Sequence, residues 1–382
     1  MLYSRSQGFA PAGFVLLLIA FIVSASGEVV FHPVYQDVSE GVRYAHMTAT
    51  NPVWSIHVLR VDRRQRDLHL ACTLALDHIA GLATVARQVG AIPSAWGIPV
   101  AAVNADFFVL RAGPYQGDPQ GLQILSGELV SAPDGPTLWM EQGEPRIGLV
   151  RAKFNLSWPG GGTSPFALNE MPRETNVVLF TPRFGASTRA TNHEELVLGP
   201  APGSAWLPLR ASEAFRAVVL AHNPAGNSPL VSNRMVLVAG SAFAQRVRAI
   251  PNGAILKLSA GLSRKLSGVE FAVGGGPILL QNGAFSGWAD APHHPGKRNP
   301  RTAAGYNCAD YFLVEVDGRQ EGLSVGMDFH ELATLMKTLG CTDAINLDGG
   351  GSSTFWLNGK IMNSPSDKHE RAVANTLVVL RK

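Results

Sequence analysis

Residues 328–359 read DFHELATLMKTLGCTDAINLDGGGSSTFWLNG. Asp328 with Glu331 three positions on is a capping box, opening a helix that carries Leu332, Leu335, Met336 and Leu339 on one face. Gly340 ends it. The pattern then turns from helical to extended. Ala344-Ile345-Asn346-Leu347 reads as a buried strand, Asp348-Gly349-Gly350-Gly351 as a loop, and 352–357 as a second strand closed by an Asn358-Gly359 turn. A single clear helix set among hairpins predicts an α+β fold of strand-rich mixed sheets with few helices, in one large domain.

The same grammar continues outward. Residues 271–273 run into Gly274-Gly275-Gly276-Pro277, then a strand at 278–280 and an Asn282-Gly283 hairpin turn; 311–316 is a strand closed by Asp317-Gly318. Upstream, 98–103 is an apolar strand leading into Asn104-Ala105-Asp106-Phe107-Phe108, and 77–90 has helical spacing with Asp77 as N-cap and Gly90 as stop. The middle, 110–265, alternates without a long helical period, with strands at 176–180, 217–220 and 235–238. Residues 28–71 alternate as edge or meander strands.

Of 382 residues, 46% are hydrophobic and 16% charged, which excludes a disordered chain. The 40 glycines and 25 prolines follow no collagen period, and a net charge of +3 gives no basic stripe for nucleic acid. Arg5, the apolar run 14–23 and the small residues before Glu28 form a secretory signal. The run falls short of the roughly 20 residues of a membrane span. The expectation is therefore a secreted or periplasmic protein with no stable membrane span after signal removal. It divides as signal 1–27, a strand/helix segment 28–95 packed on the core, and a principal domain 96–382. Cys72, Cys308 and Cys341 lack CxxC spacing, leaving either buried thiols or one bridge plus a free cysteine.

Several stretches could carry chemistry. The loop at Asp348 puts a carboxylate before three glycines whose N–H groups can form an anion nest; a bend whose Asp caps its own backbone reads the same way. Alternation sets Asn104 and Asp106 on one face at a strand end. Residues 293–301 hold His293, His294, Lys297, Arg298 and Arg301, arginine being suited to bidentate phosphate recognition. The histidine pair has no carboxylate at ligand spacing, so the sequence gives no metal site and no cofactor. Gly322-Leu323-Ser324-Val325-Gly326 has the spacing of a nucleophile elbow, but the helix begins only at Asp328, which argues against a serine hydrolase.

Taken in order, NADFF, AVGGGPILLQNG, PRTAAGYN, GMDFHELATLM, AINLDGGGSSTFWLNG and the tail from Ser364 to Arg371 resemble the phosphodiester glycosidase family across residues 96–380. The resemblance implies hydrolysis of a sugar joined through its anomeric carbon to phosphate, on a sugar-1-phosphodiester or phosphorylated glycan. It implies a catalytic set of Asp348, Asp106 and Arg301, with Asp106 standing where family members have glycine. Asn104, Phe107, Gly275, Thr302, Gly349, Gly350, Gly351, Ser352 and Arg371 are expected to bind substrate. A non-catalytic glycan-binding or exopolysaccharide assembly protein on the same fold is the alternative.

Overall fold

A computed structural model describes residues 31–287 and 297–382. The expected signal segment and the His293-His294 pair lie outside the described residues. Four sheets carry the fold, and their neighbours run antiparallel except for the short pair Ala167–Leu168 with Val177–Phe180. Strand-rich α+β architecture is what the sequence predicts.

The first sheet has eight strands in the order Gln36–Ser39, Val42–Thr50, Val53–Asp62, Asp310–Val316, Arg301–Tyr306, Asp343–Asn346, Ile278–Gln281 and Ala284–Phe285. A five-stranded sheet, Lys360–Ile361, Phe355–Leu357, Ile98–Asn104, Thr376–Arg381 and Leu68–Cys72, packs against one face of it. Strands from both sides of residue 95 therefore share sheets. On the other face lies the helix Phe329–Thr338, burying Leu332, Leu335 and Met336 against Ile56, Phe312 and Val314. Its capping box is formed as expected: the Asp328 carboxylate accepts from Glu331 N–H at 2.9 Å and the Glu331 carboxylate from Asp328 N–H at 3.0 Å.

The middle of the chain builds a second eight-stranded sheet, from Ala152–Ser157 through Ile255–Leu262, around its own apolar cluster. A five-stranded sheet that includes Gln123–Leu125, Phe271–Gly274 and Gly135–Glu141 lies between it and the N-terminal and C-terminal strands in connectivity.

Two local expectations change. The helix expected over 77–90 is only Val85–Gly90, capped by Thr84. Ala75–Asp77 is a 3-10 turn, and the N–H groups of Ile79 and Ala80 are held by the carbonyls of Arg183 and Phe184, so the chain turns there instead of starting a helix. The strand expected over 352–357 begins only at Phe355, because Gly350–Ser352 is a 3-10 turn and Thr354 N–H is bonded to the Asn104 side chain. All three cysteines are free, Cys72 and Cys341 buried and Cys308 exposed.

Candidate active site

The site is built at a junction of two sheets. Strand Ile98–Asn104 ends at Asn104, which is fully buried and bonded through both its carboxamide oxygen and its nitrogen. Its Oδ1 accepts from the Thr302 hydroxyl at 2.7 Å and Thr354 N–H at 3.1 Å, and its Nδ2 donates to Asp348 O at 2.6 Å. Asn104 thereby ties together the first sheet, the loop after Asp348 and the strand that follows. Thr302 is also buried and lies 3.4 Å from the Ser353 hydroxyl.

Two acids meet at this junction. Asp348 accepts from Gly349 N–H at 2.9 Å. Burial raises its pKa, while Ser352, the Gly349 N–H and Arg371 oppose the rise. Asp106 is 2% exposed, and its backbone N–H donates to Asn375 Oδ1 at 2.8 Å. The carboxyl is wedged between Gly121 and Gly274, where an added Cβ would fall 2.7 and 2.6 Å from Asp106 Oδ2. That oxygen has no hydrogen-bond partner among the described residues. Burial lifts the pKa of Asp106 to about 8; N–H groups of Gly121 and Phe107 lower it and the charge of Asp348 adds to it. The pair is thus a proton-holding carboxyl next to a second carboxyl whose burial-driven rise a nearby arginine opposes.

That arginine is Arg371, ion-paired with Asp367. Its Nε donates to Asp367 Oδ2 at 2.9 Å, and its Nη1 reaches the Ser352 hydroxyl at 3.4 Å. The guanidinium lies directly across Gly351: a Cβ there would sit 2.0 Å from Nη2. No larger residue fits beneath this ion pair. Arg319 flanks the same loop, its guanidinium 3.0 Å from where a Cβ on Gly350 would stand and held by Asn299 Oδ1 at 3.0 and 2.8 Å.

Other expected residues fall as follows. Ser352 is buried under Arg371. Gly349 backs onto the Pro300 carbonyl, and Gly275 onto the Asn346 carbonyl. Phe107 is half-buried beside Asp106, its carbonyl accepting from Gln120 N–H at 2.8 Å.

Arg301 is placed differently. Thr302 points to Asn104, so alternation turns Arg301 to the helix face of the sheet. There its Nε donates to Met327 O at 2.8 Å, its Nη2 to Lys297 O at 3.1 Å, and its guanidinium stacks 4.1 Å from the Phe329 ring centroid. The structure does not bring it to Asp348. Arg298 is paired with Glu331. Ser324 is buried, with its hydroxyl donating to Asp317 O, so it is no free nucleophile.

Sequence reasoning missed Arg319 and Asn375. Arg319 follows the Asp317-Gly318 turn at φ 60°, where only the folded loop reveals its direction. Asn375 precedes the apolar run 377–380 much as Asn104 ends another, a signal available in the pattern.

Residues 214–380 match the family model described as phosphodiester glycosidase. The C-terminal part of the chain is phosphodiester-glycosidase-like. The chain is 38% identical over 93 residues to the SPbeta prophage-derived protein YomE of Bacillus subtilis, covering 24% of this chain and 14% of that protein. It is 32% identical over 115 residues to the N-acetylglucosamine-1-phosphodiester alpha-N-acetylglucosaminidase of Mus musculus, covering 27% and 21%. The matched stretches thus span about a fifth or less of these curated relatives. A crystal structure from Burkholderia pseudomallei, of a protein described as exported, shares the fold at a TM-score of 0.66 and 25% identity, over 86% of this chain and 74% of that one. Within the phosphodiester-glycosidase-like span lie Thr302, Asp348, the three glycines, Ser352 and Arg371; Asn104 and Asp106 come from outside it. No helix among the described residues is long and apolar enough to cross a membrane.

Proposed function

We propose that the protein is an exported hydrolase that cleaves a sugar-1-phosphodiester at the bond between the anomeric carbon and the phosphate oxygen. The substrate would be part of an envelope or extracellular glycan. The observation that carries this reading is the buried pair of Asp106 and Asp348 beside Arg371 and the glycine loop.

A phosphate monoester is a good leaving group, with a second pKa near 6, so the reaction leans on charge stabilisation more than on a strong acid. Arg371, with Arg319 beside it, neutralises the leaving phosphate. Asp348 faces the positive charge that grows at the anomeric carbon and takes the proton of the attacking water. Asp106, protonated at neutral pH, keeps a second negative charge off the site and can give its proton to the departing oxygen. In the balance, water adds to the anomeric carbon, the carbon–oxygen bond breaks, and its electron pair leaves on phosphate.

The test is release of reducing sugar from a panel of sugar-1-phosphodiesters, run in ¹⁸O-labelled water. Label in the sugar supports this reading. Label in phosphate means P–O cleavage by a phosphodiesterase, and tight binding without release means a glycan-binding or assembly protein; either outcome overturns it.

A further inference from the structure

A second buried polar cluster lies apart from the two acids. The register of the first sheet sets His46 opposite His57, His57 opposite Glu315, and Glu315 opposite Thr302, so four neighbouring strands share one row on one face. Asp317 follows two residues after Glu315 on the same side. Ligand atoms of His57, Glu315 and Asp317 all lie within 4.8 Å of one another.

The cluster holds two buried acids that no lysine or arginine among the described residues answers, and burial with Asp317 raises the pKa of Glu315. Glu315 is fully buried, and neither carboxylate oxygen has a hydrogen-bond partner among the described residues. Asn363 stands beside it as a neutral donor that lowers its pKa, while the same carboxamide also donates to Ser353 O and accepts from Phe355 N–H. Asp317, 2% exposed, accepts from the Ser55 hydroxyl and Ser364 N–H, both at 2.8 Å. Among the described residues no lysine or arginine pairs with either acid. Two carboxylates held this way are costly to bury without a cation.

The histidine is set as a ligand would be. Its Nδ1 is 2.7 Å from the Tyr44 hydroxyl, which leaves Nε2 turned to the carboxylates. Nε2 and Asp317 Oδ2 are 3.5 Å apart, too far for a good hydrogen bond but close to the edge of about 3.4 Å that bonds of ~2.1 Å give a tetrahedral ion.

We propose that His57, Glu315 and Asp317 hold one divalent transition-metal ion of the zinc class, buried between the sheets as a structural cation. One dipositive ion neutralises two carboxylates, and a water or the Ser55 hydroxyl completes its shell. The ion would brace the row that ends at Thr302, and through Asp317 and Ser364 the loop that leads to Arg371. It goes beyond the hydrolase reading and does not depend on it. No metal motif shows in the sequence because His57 joins the neighbouring Glu315 and Asp317 from a distant strand.

The test begins with metal content of the full chain as purified, by mass spectrometry. The chain is then unfolded with chelator and refolded with or without Zn²⁺ or Co²⁺. About one equivalent of metal, a visible Co²⁺ absorption band and a lower melting temperature without metal are expected. Glu315→Gln, isosteric with a protonated Glu315, should fold yet weaken Co²⁺ binding at least tenfold. A wild-type chain that holds no metal as purified and takes up neither ion on refolding overturns the site. So does Glu315→Gln that binds Co²⁺ as well as wild type. If refolding fails, metal content of wild type and Glu315→Gln, both purified from zinc-supplemented cultures, decides: one equivalent against less than a tenth supports the site, and equal content overturns it.

Discussion

The backbone N–H of Asp348 donates to the carbonyl of Ala105 at 2.7 Å, which hangs the two candidate acids from one junction. Asp106 follows Ala105 directly, while Asp348 opens the glycine loop. A small shift of either strand end therefore moves both carboxyls together.

Asp348→Asn is expected to cost roughly 10²–10⁴ in kcat, the usual loss for one positioned acid–base group. The amide oxygen can still accept from Gly349 N–H, so stability should fall by no more than about 1 kcal/mol. Rates of sugar release beside a melting curve and a ligand titration check this. Unchanged kcat would clear Asp348 of chemistry; a collapsed melting temperature would make it a structural cap.

Asp106 should make stability depend on pH. Its folded pKa of about 8 stands above the ordinary 3.8, so between these values the native state holds a proton the unfolded chain has lost. Stability from this group is full below pH 4 and lost as pH rises through 8, with a slope up to about 1.4 kcal/mol per pH unit. Asp106→Asn mimics the neutral acid and removes that slope. Denaturant melts of wild type and variant from pH 4 to 9 should diverge in the variant's favour; parallel curves would mean Asp106 is ionised when folded.

What the sequence made legible was local. The helix Phe329–Thr338 could be read because its cap and its N3 partner are three residues apart and its apolar face is continuous. The polar ends at Asn104 and Asp348 were legible as breaks after apolar strands. The helix expected from Asp77 failed because Ile79 serves the core from a turn, and one buried apolar residue looks alike in either state. The row from His46 to Thr302 was illegible for a different reason: strand register, set by packing of residues far apart in the chain, decides which side chains meet.

Arg301 shows what a face assignment changes. Read as a phosphate ligand, Arg301→Lys would lose activity and keep its fold. With the guanidinium buried to 9% exposure, bonded to Met327 O and Lys297 O and stacked on Phe329, the expectation reverses. Lysine keeps charge but loses the fork and the stack, costing about 1–3 kcal/mol of stability, with kcat within severalfold of wild type. A melting curve unmoved beside a tenfold or greater loss of turnover would return Arg301 to the phosphate.

Arg319 is the cation that the folded loop adds. Its guanidinium is exposed, rests on Asn299 Oδ1 and borders Gly350, so a phosphate at that loop would stand within its reach, while the N–H groups of Gly349 and Gly350 are already taken by Asp348 Oδ1 and Pro300 O. Unlike Arg371, it forms no ion pair with a carboxylate among the described residues, so its charge is not already answered. Arg319→Ala should raise KM for a sugar-1-phosphodiester about tenfold, the worth of one charge-assisted contact of roughly 1.4 kcal/mol, and leave stability within about 0.5 kcal/mol. A neutral aryl glycoside of the same sugar has no phosphate for Arg319 to meet, so its KM should not change. Measuring both substrates with wild type and variant separates a phosphate contact from a general loosening of the loop. Equal losses on the two substrates would point to the loop, and an unchanged KM on the phosphodiester would leave Arg319 as a solvated side chain.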